Sequence, residues 1–543
     1  MDEKHISTVE RHELAEDEIN GLKQTATMGT VTINDTEELM LVPQPSADPR
    51  DPLNMPKWRK VLFVVLLSIF SSAGLSMVSG FGGLLGFYIP GYVEKGATYA
   101  DITALMTYPS MFMGVGNLIS MPLALAIGRR PVYLGSCMIL ILGGCLSAYA
   151  KDYNHHLWLR MLIGIGAGNS EALVPMMIQE VHFIHERSQC LMWQVAMQTV
   201  VSAILNIFAS PIAGAVGTTA WYLIGVGLSA AVLIVSIFFV PETKYVRDLA
   251  AYGQSAELIA GYIDEKLEPK PMKMSERPAL DTVRYQPRTL RSDMRLFVNK
   301  PDWSEGFYAL KNTFQIMLFP NVFWIFCLNG FTLGVNIALA TTYGTILSAP
   351  PYNFSNDKVS YINVAQIFTA LVALPLLGEG SDWIIKRQAR KNGGVHEPEA
   401  RLLPLGIPLA FGVLAAVLYG QAAQFPGKLH WFAIVFAYGA YYLCFIGSNI
   451  VGITFLLDSY PARAGPALVV ICSMRGFVSF GSSYGVAKFI ETAGYDGAFG
   501  AYAGITAGLG LIGIPIYFFG KRIRQFTGKW AVKERTGKPS LTH

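Results

Sequence analysis

Glu171 is a carboxylate inside a stretch of sequence that is otherwise almost wholly apolar, LRMLIGIGAGNSEALVPMMIQE, which runs from Leu159 to Glu180. An ionised carboxylate in a membrane-spanning helix costs at least a few kcal/mol, so such residues usually face a cavity or a partner and often belong to a proton or ion pathway. Arg160 lies eleven residues earlier, and a regular helix would place the two side chains on one face, about 16 Å apart along its axis. We predict that Glu171 binds a proton or a cationic substrate; the alternative is a structural hydrogen bond to a neighbouring helix.

The composition of the chain places this carboxylate in a membrane protein. Hydrophobic residues make up 52% of the 543 residues and charged residues only 15%, and the mean hydropathy is +0.38, which lies outside the usual range of soluble proteins. The net charge of +4 is small and its basic residues are scattered, which excludes the concentrated basic face of a nucleic-acid-binding protein. The six cysteines all fall in apolar segments, without the spacing of a zinc site or the density of a disulfide scaffold.

Two sets of six apolar segments follow residue 60, each long enough to cross about 30 Å of hydrocarbon as a helix. The predicted spans are residues 61–89, 102–126, 131–150, 157–179, 190–216, 220–240, 320–347, 358–379, 402–424, 430–456, 465–490 and 497–520. We therefore predict an all-α membrane protein, with twelve transmembrane helices in two six-helix halves.

Polar segments divide the rest of the chain. The first fifty residues hold eleven acidic and four basic residues, a composition that cannot bury enough apolar surface to fold. The predicted organisation is a disordered acidic cytosolic tail (1–56), an N-terminal six-helix half (57–240), a cytosolic central loop (241–319), a C-terminal six-helix half (320–520) and a cytosolic C-terminal tail (521–543).

The basic residues of the short loops predict the orientation. Cytosolic loops are enriched in Lys and Arg, and the loops that carry Arg129, Arg187 and Arg390 lie on the same side as both termini. We therefore predict that both termini are cytosolic. On the opposite side, Asn353 begins an Asn-Phe-Ser sequon in a short loop and is a candidate glycosylation site.

Uncharged polar residues recur on the predicted spans, where they must face protein or water. We interpret them as the lining of a polar, partly aromatic cavity suited to an amphipathic organic molecule; contacts that hold helices together are the alternative. The candidate cavity residues are Asn169, Gln194, Gln198, Asn206, Asn329, Asn336, Asn363, Gln366, Tyr441 and Asn449.

Two further ionisable residues are Asp458, in LLDSYPARAG at the inner end of the tenth span, and Arg475, in CSMRGFVSF within the eleventh. A buried arginine needs an acceptor, and a carboxylate from a neighbouring helix is the natural one. We predict gating roles for both residues, as a possible cytosolic gate pair; for Asp458 the alternative is an interfacial helix end.

Catalytic chemistry is not indicated by the sequence. The glycines of GIGAG lack the preceding strand of a dinucleotide-binding loop, and HFIHER after the fourth span is interpreted as a solvated loop rather than a metal site. We predict no enzyme activity, no cofactor and no metal.

Several motifs resemble the major facilitator superfamily: MPLALAIGRRPVYL between spans 2 and 3, LRMLIGIGAG in span 4 and VPETKYVR after span 6. Three more, DPLNMPKWRK, NGFTLGVNIALATTYGTILSAPPYNFS and ALPLLGEGSDWIIKRQARKNGGVHEPEARL, look like a fungal branch of the drug:proton antiporter family with twelve spans. The likeness extends from Asp51 to about Arg524. It implies alternating access, with a binding site between the two halves.

The resemblance also implies residue roles. Arg160 matches the span-4 arginine implicated in proton coupling, and Arg129 and Arg130 match residues that help hold the halves together in one state. In the second half the related acidic position is Asp382. The basic residues that follow it there, also candidates for gating, are Lys386 and Arg387.

Two positions depart from the family pattern. Leu125 stands where the loop between spans 2 and 3 usually carries an aspartate. The antiporter motif of span 5, a Gly-Pro followed after two residues by a glycine pair, is replaced by the segment Ser210 to Ala215. The second departure leaves uptake open as an alternative to antiport.

The first functional interpretation is proton-coupled efflux of a drug, toxin or secondary metabolite, through a monomer in the plasma membrane. The alternatives are uptake of an organic cation such as a polyamine, for which Glu171 would be the counter-ion, and a transporter-like membrane sensor whose tail and central loop signal. The vacuole is the alternative location. The predicted partners are a small-molecule substrate, protons and the lipid bilayer, and no nucleic acid.

Overall fold

The computed structural model describes residues 31–32, 43–245, 247–248, 280–281, 283–298, 300–377, 380, 383–385, 387–388, 395–460, 463–532 and 540–541. Twelve helical spans within these residues are long and apolar enough to cross a membrane: Lys57–Val93, Tyr99–Ile127, Arg129–Ala148, Tyr153–Val181, Gln189–Val216, Thr218–Phe239, Pro320–Ser348, Val359–Leu377, Pro398–Gln424, Phe432–Ser459, Gly465–Ser483 and Val486–Thr527. The predicted fold class and number of spans are confirmed, and the bounds differ from the predicted ones mostly by a few residues.

Several spans are interrupted rather than continuous. Span 1 consists of the α-helices Lys57–Ser79 and Leu85–Val93 joined by the 3-10 turn Gly80–Leu84, and span 4 of Tyr153–Gly168 and Leu173–Val181. The other interrupted spans are span 5 (Ile184–Ile207 and Ala209–Val216), span 8 (Val359–Asn363 and Val364–Leu377), span 9 (Pro398–Leu405 and Gly406–Gln424) and span 12, whose helix Val486–Val532 is kinked at Gly494. In transporters built from two halves, broken helices mark the neighbourhood of binding sites.

Shorter elements lie outside the spans. They are the helices Pro52–Asn54, Leu290–Asp293 and Trp303–Met317 and two pairs of two-residue antiparallel strands, Val31–Thr32 with Val395–His396 and Arg247–Asp248 with Ser540–Leu541. We call the end of the bundle where Lys57 and Thr527 lie the inner end, because the basic loops predict that it faces the cytosol, and the opposite end the outer end.

Spans 1–6 pack mainly against one another, as do spans 7–12, and the two halves meet along spans 2 and 11 and along spans 5 and 8. The crossing of spans 2 and 11 is backbone to backbone. A Cβ added at Gly114 would lie 2.5 Å from the carbonyl oxygen of Ser473, and one at Gly476 would lie 2.9 Å from that of Ser110. Small residues at such crossings let helices approach closely in a membrane, so a larger side chain here would push the halves apart.

Residues 43–56 differ from the disordered tail that the acidic composition predicts. Asp51 is buried, and its carboxylate accepts hydrogen bonds from the backbone amides of Ser46 and Leu53, at 2.9 Å each. Leu53 is buried against Phe183 at the inner end. The acidic residues that carried the prediction mostly precede residue 43 and lie outside the described residues, whereas the segment next to span 1 has apolar anchors of its own.

The helix Trp303–Met317, here called the loop helix, lies across the inner end of both halves. On its buried face, a Cβ added at Gly306 would lie 2.9 Å from the carbonyl oxygen of Pro122 in span 2. Towards the C-terminal half, Gln315 of the loop helix accepts a 2.9 Å hydrogen bond from Arg463, which precedes span 11. Part of the predicted central loop is therefore an ordered bridge between the halves.

Candidate substrate and coupling site

Glu171 lies in the interruption of span 4, between Gly168 and Leu173. The chain there forms tight turns in which the amides of Ser170 and Glu171 donate to the carbonyls of Ala167 and Gly168, at 3.1 Å each. The prediction that Arg160 and Glu171 lie on one helix face is wrong, because the helix is interrupted between the two residues. The break instead directs Glu171 towards the other half of the molecule.

The carboxylate of Glu171 forms an ion pair with the guanidinium of Arg475 in span 11, where only 3% of the arginine side chain is exposed. Arg475 also donates to Oδ1 of Asn449 in span 10, at 2.9 Å, and Nδ2 of Asn329 in span 7 donates to the same oxygen at 3.0 Å. We call these four residues the central network. It joins the N-terminal half, through Glu171 alone, to three spans of the C-terminal half.

Cys472 adds a second contact between the same two spans, since its thiol lies 3.3 Å from the backbone carbonyl oxygen of Glu171. The side chain of Glu171 remains 14% exposed. A carboxylate that is paired but still partly accessible can exchange its partner for a proton or for a cationic group of a substrate.

Arg160 lies elsewhere, buried completely within the N-terminal half. Its guanidinium donates to the carbonyls of Met77 and Val78, at 3.2 and 3.0 Å, to that of Leu105 at 2.5 Å, and to the hydroxyl of Tyr222 at 3.0 Å. Met77 and Val78 are at the carboxyl end of the first helix of span 1, where a cation satisfies the free carbonyls and the helix dipole. The geometry therefore gives Arg160 a role in holding the break of span 1, and its predicted part in proton coupling is untested.

The polar candidates of span 5 fall into two groups. Gln194 and Gln198 are hydrogen-bonded to each other at 2.8 Å. Asn206 instead packs against span 1, accepting from Ser76 at 2.8 Å and donating to Ser79 at 3.0 Å. Asn206 therefore holds two helices together, which was the alternative interpretation.

A polar cluster of the C-terminal half is centred on Tyr438, which the sequence reasoning missed. Its hydroxyl accepts from Nε2 of Gln366 at 2.8 Å and lies 3.3 Å from Oδ1 of Asn363. Tyr441 pairs with Thr506 of span 12 at 3.1 Å, a contact inside the C-terminal half, and its place in the cavity stays a prediction. Tyr438 lies three residues before Tyr441 in span 10, and that spacing was the available signal for it.

Asn169 and Asn336 complete the predicted set. Nδ2 of Asn169 donates to the hydroxyl of Ser136 in span 3, which again is a contact inside the N-terminal half. Asn336, in span 7, is half-buried, and its carbonyl oxygen has no hydrogen-bond partner within the part of the chain that the structure describes. Such an oxygen is free to accept from a substrate.

A cluster of charged residues closes the inner end of the N-terminal half. Arg129 forms an ion pair with Glu180 at 2.7 Å. The carboxylate of Glu242 accepts the backbone amides of Arg129 and Arg130, at 2.9 and 3.2 Å, at the amino end of the span 3 helix, where negative charge is favoured. Gly128 has φ of +119°, and a Cβ there would overlap the Glu242 carboxylate. Glu180 and Glu242 therefore supply the negative charge that Leu125 lacks.

Lys244 extends this cluster to the loop helix. Its ammonium lies 3.0 Å from the carboxylate of Glu305 and also donates to the backbone carbonyl of Leu125. The gate prediction missed Glu180, Glu242, Lys244 and Glu305, although the quoted motif VPETKYVR contains two of them. Their partners lie far away in the sequence, so spacing alone could not have assigned them.

The remaining gating candidates are Asp382, Lys386, Arg387 and Asp458. Asp458 forms an ion pair with Arg401 of span 9, so it does not form the predicted gate pair with Arg475. Asp382 and Lys386 lie outside the described residues. Arg387 lies 5.2 Å from the ring of Trp383, and its gating role is untested.

The outer end is closed by contacts between spans 5 and 8. The amide of Ser210 donates to the hydroxyl of Ser360 and the amide of Ser360 to that of Ser210, both at 3.0 Å. The Ser210 to Ala215 segment, in which the sequence departs from the antiporter motif, thus joins the two halves. Beside it, an open pocket of about 330 Å³ lies between spans 1 and 7, lined by Gly82, Gly86 and Thr345, among others.

Among the titratable groups outside the spans whose pKa is shifted, one lies at each end of the bundle close to contacts described above. Burial lowers the pKa of the His182 imidazole at the inner end, which favours a neutral ring. At the outer end, a hydrogen bond from Ser355 lowers the pKa of the Asp357 carboxyl. Asp357 therefore keeps a negative charge in the outer loop, next to the carbonyl that accepts from Ser210 at 3.1 Å.

Replacing Glu242 by Gln tests the inner cluster. The amide would keep the size of the side chain and lose the charge that four backbone amides, those of Arg129, Arg130, Thr243 and Lys244, now share. We expect the free energy of unfolding to fall by about 1–2 kcal/mol, measured as a lower thermal midpoint in detergent. Glu94→Gln, an exposed carboxylate at the other end, is the control, and equal midpoints for both variants would contradict the assignment.

Comparison with known proteins gives one family. The sequence pattern of the Major Facilitator Superfamily matches residues 61–470. Protein HOL1 of Saccharomyces cerevisiae is 24% identical over 91% of this chain and 91% of its own. Multidrug transporter TPO1_2 of Candida glabrata is 24% identical over 88% of this chain and 77% of its own.

Solved structures agree with the fold. The human organic anion transporter MFSD10 superposes with a TM-score of 0.52 at 13% identity, over 84% of this chain and all of that one. The xylose transporter XylE of E. coli, in a partially occluded inward-open conformation, gives 0.52 at 13% identity, over 88% of this chain and 99% of that one. Similarity at this level supports the twelve-helix architecture and carries no information about substrate.

Proposed function

This chain belongs to the Major Facilitator Superfamily, whose members carry small solutes across membranes, and we propose that it exports an organic cation from the cell in exchange for protons. Drugs, toxins and cationic secondary metabolites are the substrate class. The exchange takes place at Glu171 during alternating access of the two halves. The proposed location is the plasma membrane, with the inner end in the cytosol.

The observation that carries the proposal is the ion pair between Glu171 and Arg475, which joins the two halves inside the membrane. Separating a buried ion pair leaves an uncompensated charge and costs several kcal/mol. The halves therefore cannot part at this point until another positive charge neutralises Glu171. A proton and a cationic substrate both provide that charge.

Competition for a single carboxylate produces exchange rather than cotransport. A proton on Glu171 excludes the cation, and the cation excludes the proton, so each must leave before the other binds. Arg475 returns to Glu171 when neither is bound, and Asn449 holds the guanidinium in the meantime through the 2.9 Å hydrogen bond. With a proton gradient directed inward, this cycle moves the cation outward.

The polar groups around the central network fit an amphipathic cation. Asn329 and Asn336 of span 7 and the Tyr438 cluster supply acceptors and an aromatic hydroxyl. The name of the Candida glabrata relative, a multidrug transporter, supports the same substrate class.

Transport by the purified protein in liposomes tests the direction of coupling. The probes are radiolabelled tetraethylammonium and spermidine, with the membrane potential clamped by valinomycin and equal potassium concentrations. Exchange predicts that an acidic lumen drives accumulation of a probe and that nigericin abolishes it. Accumulation only when the external medium is acidic would overturn exchange and favour symport, and transport that ignores pH would overturn proton coupling.

Uptake of an organic cation such as a polyamine is the second candidate. The departure of Ser210 to Ala215 from the antiporter motif favours it, because this segment forms hydrogen bonds between the halves at the outer end. Growth of a deletion strain separates the two directions: loss of an exporter increases sensitivity to a toxic cation, whereas loss of an importer confers resistance. A sensor would show no counterflow of either probe.

A further inference from the structure

Spans 2, 4 and 11 meet at a junction beside Glu171. A Cβ added at Gly168 of span 4 would lie 2.5 Å from the carbonyl oxygen of Met113 and 3.2 Å from the amide nitrogen of Asn117, both in span 2. One turn before Asn117 in span 2, a Cβ added at Gly114 would lie 2.5 Å from the carbonyl oxygen of Ser473 in span 11. Span 11 returns to span 4 through the contact of Cys472 with the Glu171 carbonyl.

Three buried side chains at this junction, those of Asn117, Ser170 and Ser473, carry polar atoms without a hydrogen-bond partner in the described part of the chain. The atoms are both amide atoms of Asn117 and the hydroxyls of Ser170 and Ser473. Each of these side chains is at most 1% exposed. Leaving such a group unpaired costs about 1–3 kcal/mol, so unpaired groups on three spans that contact one another indicate a small bound polar molecule.

The close packing at the junction restricts the size of the molecule that binds there. The backbones of spans 2 and 4 touch at Gly168 and again at Gly116, where a Cβ would lie 2.5 Å from the Ile165 carbonyl oxygen. No organic substrate fits between helices packed this closely. A water molecule is the smallest polar molecule that could pair with these groups, and buried waters typically make about three hydrogen bonds to otherwise unpaired groups.

We propose that spans 2, 4 and 11 enclose a hydration site, formed by Asn117, Ser170 and Ser473, through which water carries the proton that Glu171 exchanges. This inference rests on the proposed proton exchange and adds its route. The proton leaves the Glu171 carboxyl for a bound water, which becomes hydronium and passes a proton to the next water. Only O–H bonds form and break, and the substrate takes no part.

Ser120 indicates where the route continues. It lies three residues after Asn117, on the same face of span 2 and one turn nearer the inner end, and its buried hydroxyl also has no partner among the described residues. The route therefore leads from Glu171 towards the cytosol along span 2, separate from the substrate path between the halves.

Hydroxyl-radical footprinting with X-ray pulses measures the hydration directly and needs no substrate, because radicals formed from bound water oxidise adjacent side chains. Met113 lies at the junction, and Met106, in the same span and also buried, is the internal control. We expect Met113 to be oxidised about tenfold faster than Met106, given one or more ordered waters at the site. Equal, slow oxidation of both would show a dry junction and overturn the proposal.

The variant Asn117→Leu removes both amide atoms at nearly constant volume. We expect slower oxidation of Met113 and pH-driven transport reduced about tenfold or more, as for loss of a positioned proton-transfer group, with probe counterflow at equal pH retained. Ser473→Ala, a smaller change, should give the same pattern more weakly. Asn321→Leu is the matched control, since Asn321 is an equally buried asparagine at the inner start of span 7.

The outcomes separate this proposal from the proposed function. If Asn117→Leu and Asn321→Leu have the same effect on pH-driven transport, Asn117 acts only through stability and the route is overturned. If the wild type shows no proton coupling but Met113 is oxidised rapidly, the hydration site stands and the exchange function fails. If the wild type shows proton coupling and the junction is dry, the exchange function stands and the hydration site is overturned.

Discussion

Glu171→Gln is expected to abolish proton-driven transport and also to destabilise the protein. The amide cannot titrate, which removes the exchange step and lowers the initial rate by about 100-fold or more. It also leaves the Arg475 guanidinium buried without a counter-charge, and breaking a buried ion pair in this way costs about 3–5 kcal/mol. Initial rates at matched surface expression and thermal midpoints in detergent measure the two effects separately.

A double variant distinguishes the role in transport from the role in stability. Glu171→Gln with Arg475→Gln removes both charges and leaves amides that can hydrogen-bond, so the midpoint should recover most of the loss while transport stays absent. Glu491→Gln, an exposed carboxylate of span 12, should change neither quantity. Recovery of transport in the double variant would show that the pair is structural and that Glu171 is not the exchange site.

Arg160→Ala is expected to prevent accumulation of folded protein. The substitution leaves the carbonyls of Met77, Val78 and Leu105 and the hydroxyl of Tyr222 without their donor, and each unpaired buried group costs about 1–3 kcal/mol. Arg160→Lys keeps the charge but reaches fewer acceptors, so we expect partial folding. The measurement is the fraction of monodisperse protein after detergent extraction.

The pH profile of the lysine variants shows whether Arg160 also takes part in coupling. Arg160 contacts neither Glu171 nor any residue of the central network, so folded Arg160→Lys should transport with the wild-type pH profile. Arg475→Lys, which alters the direct partner of Glu171, should shift that profile. A shift in Arg160→Lys as large as that in Arg475→Lys would refute the structural assignment and restore the predicted role in proton coupling.

The twelve spans could be predicted because helix length and hydropathy are local properties of the sequence. Glu171 was conspicuous for the same reason, as a lone charge in an apolar stretch. The sequence could not identify Arg475 as the partner of Glu171. The contact between Glu171 and Cys472 joins residues 301 positions apart, and helical periodicity says nothing about which distant span a side chain meets.

The prediction that Arg160 and Glu171 share one helix face failed for a specific reason. Helical phase can be extrapolated only through an unbroken helix, and the sequence gives weak notice that span 4 stops at Gly168. Asn169 and Ser170 favour turns because their side chains compete for backbone hydrogen bonds, and Gly168 before them is a residue type at which helices commonly end. The inner cluster was missed similarly, since Glu180 and Glu242 act on Arg129 across space.

The pairing of Glu171 with Arg475 makes each half of the molecule dependent on the identity of the other. Domain-exchange chimeras with a relative would retain a balanced charge at the centre only if the incoming C-terminal half carried a cation at the position of Arg475. They would also need a residue as small as Gly476 where Gly114 crosses it. The two halves are therefore similar in architecture but not interchangeable as parts, and substitutions at these positions constrain one another across the whole length of the chain.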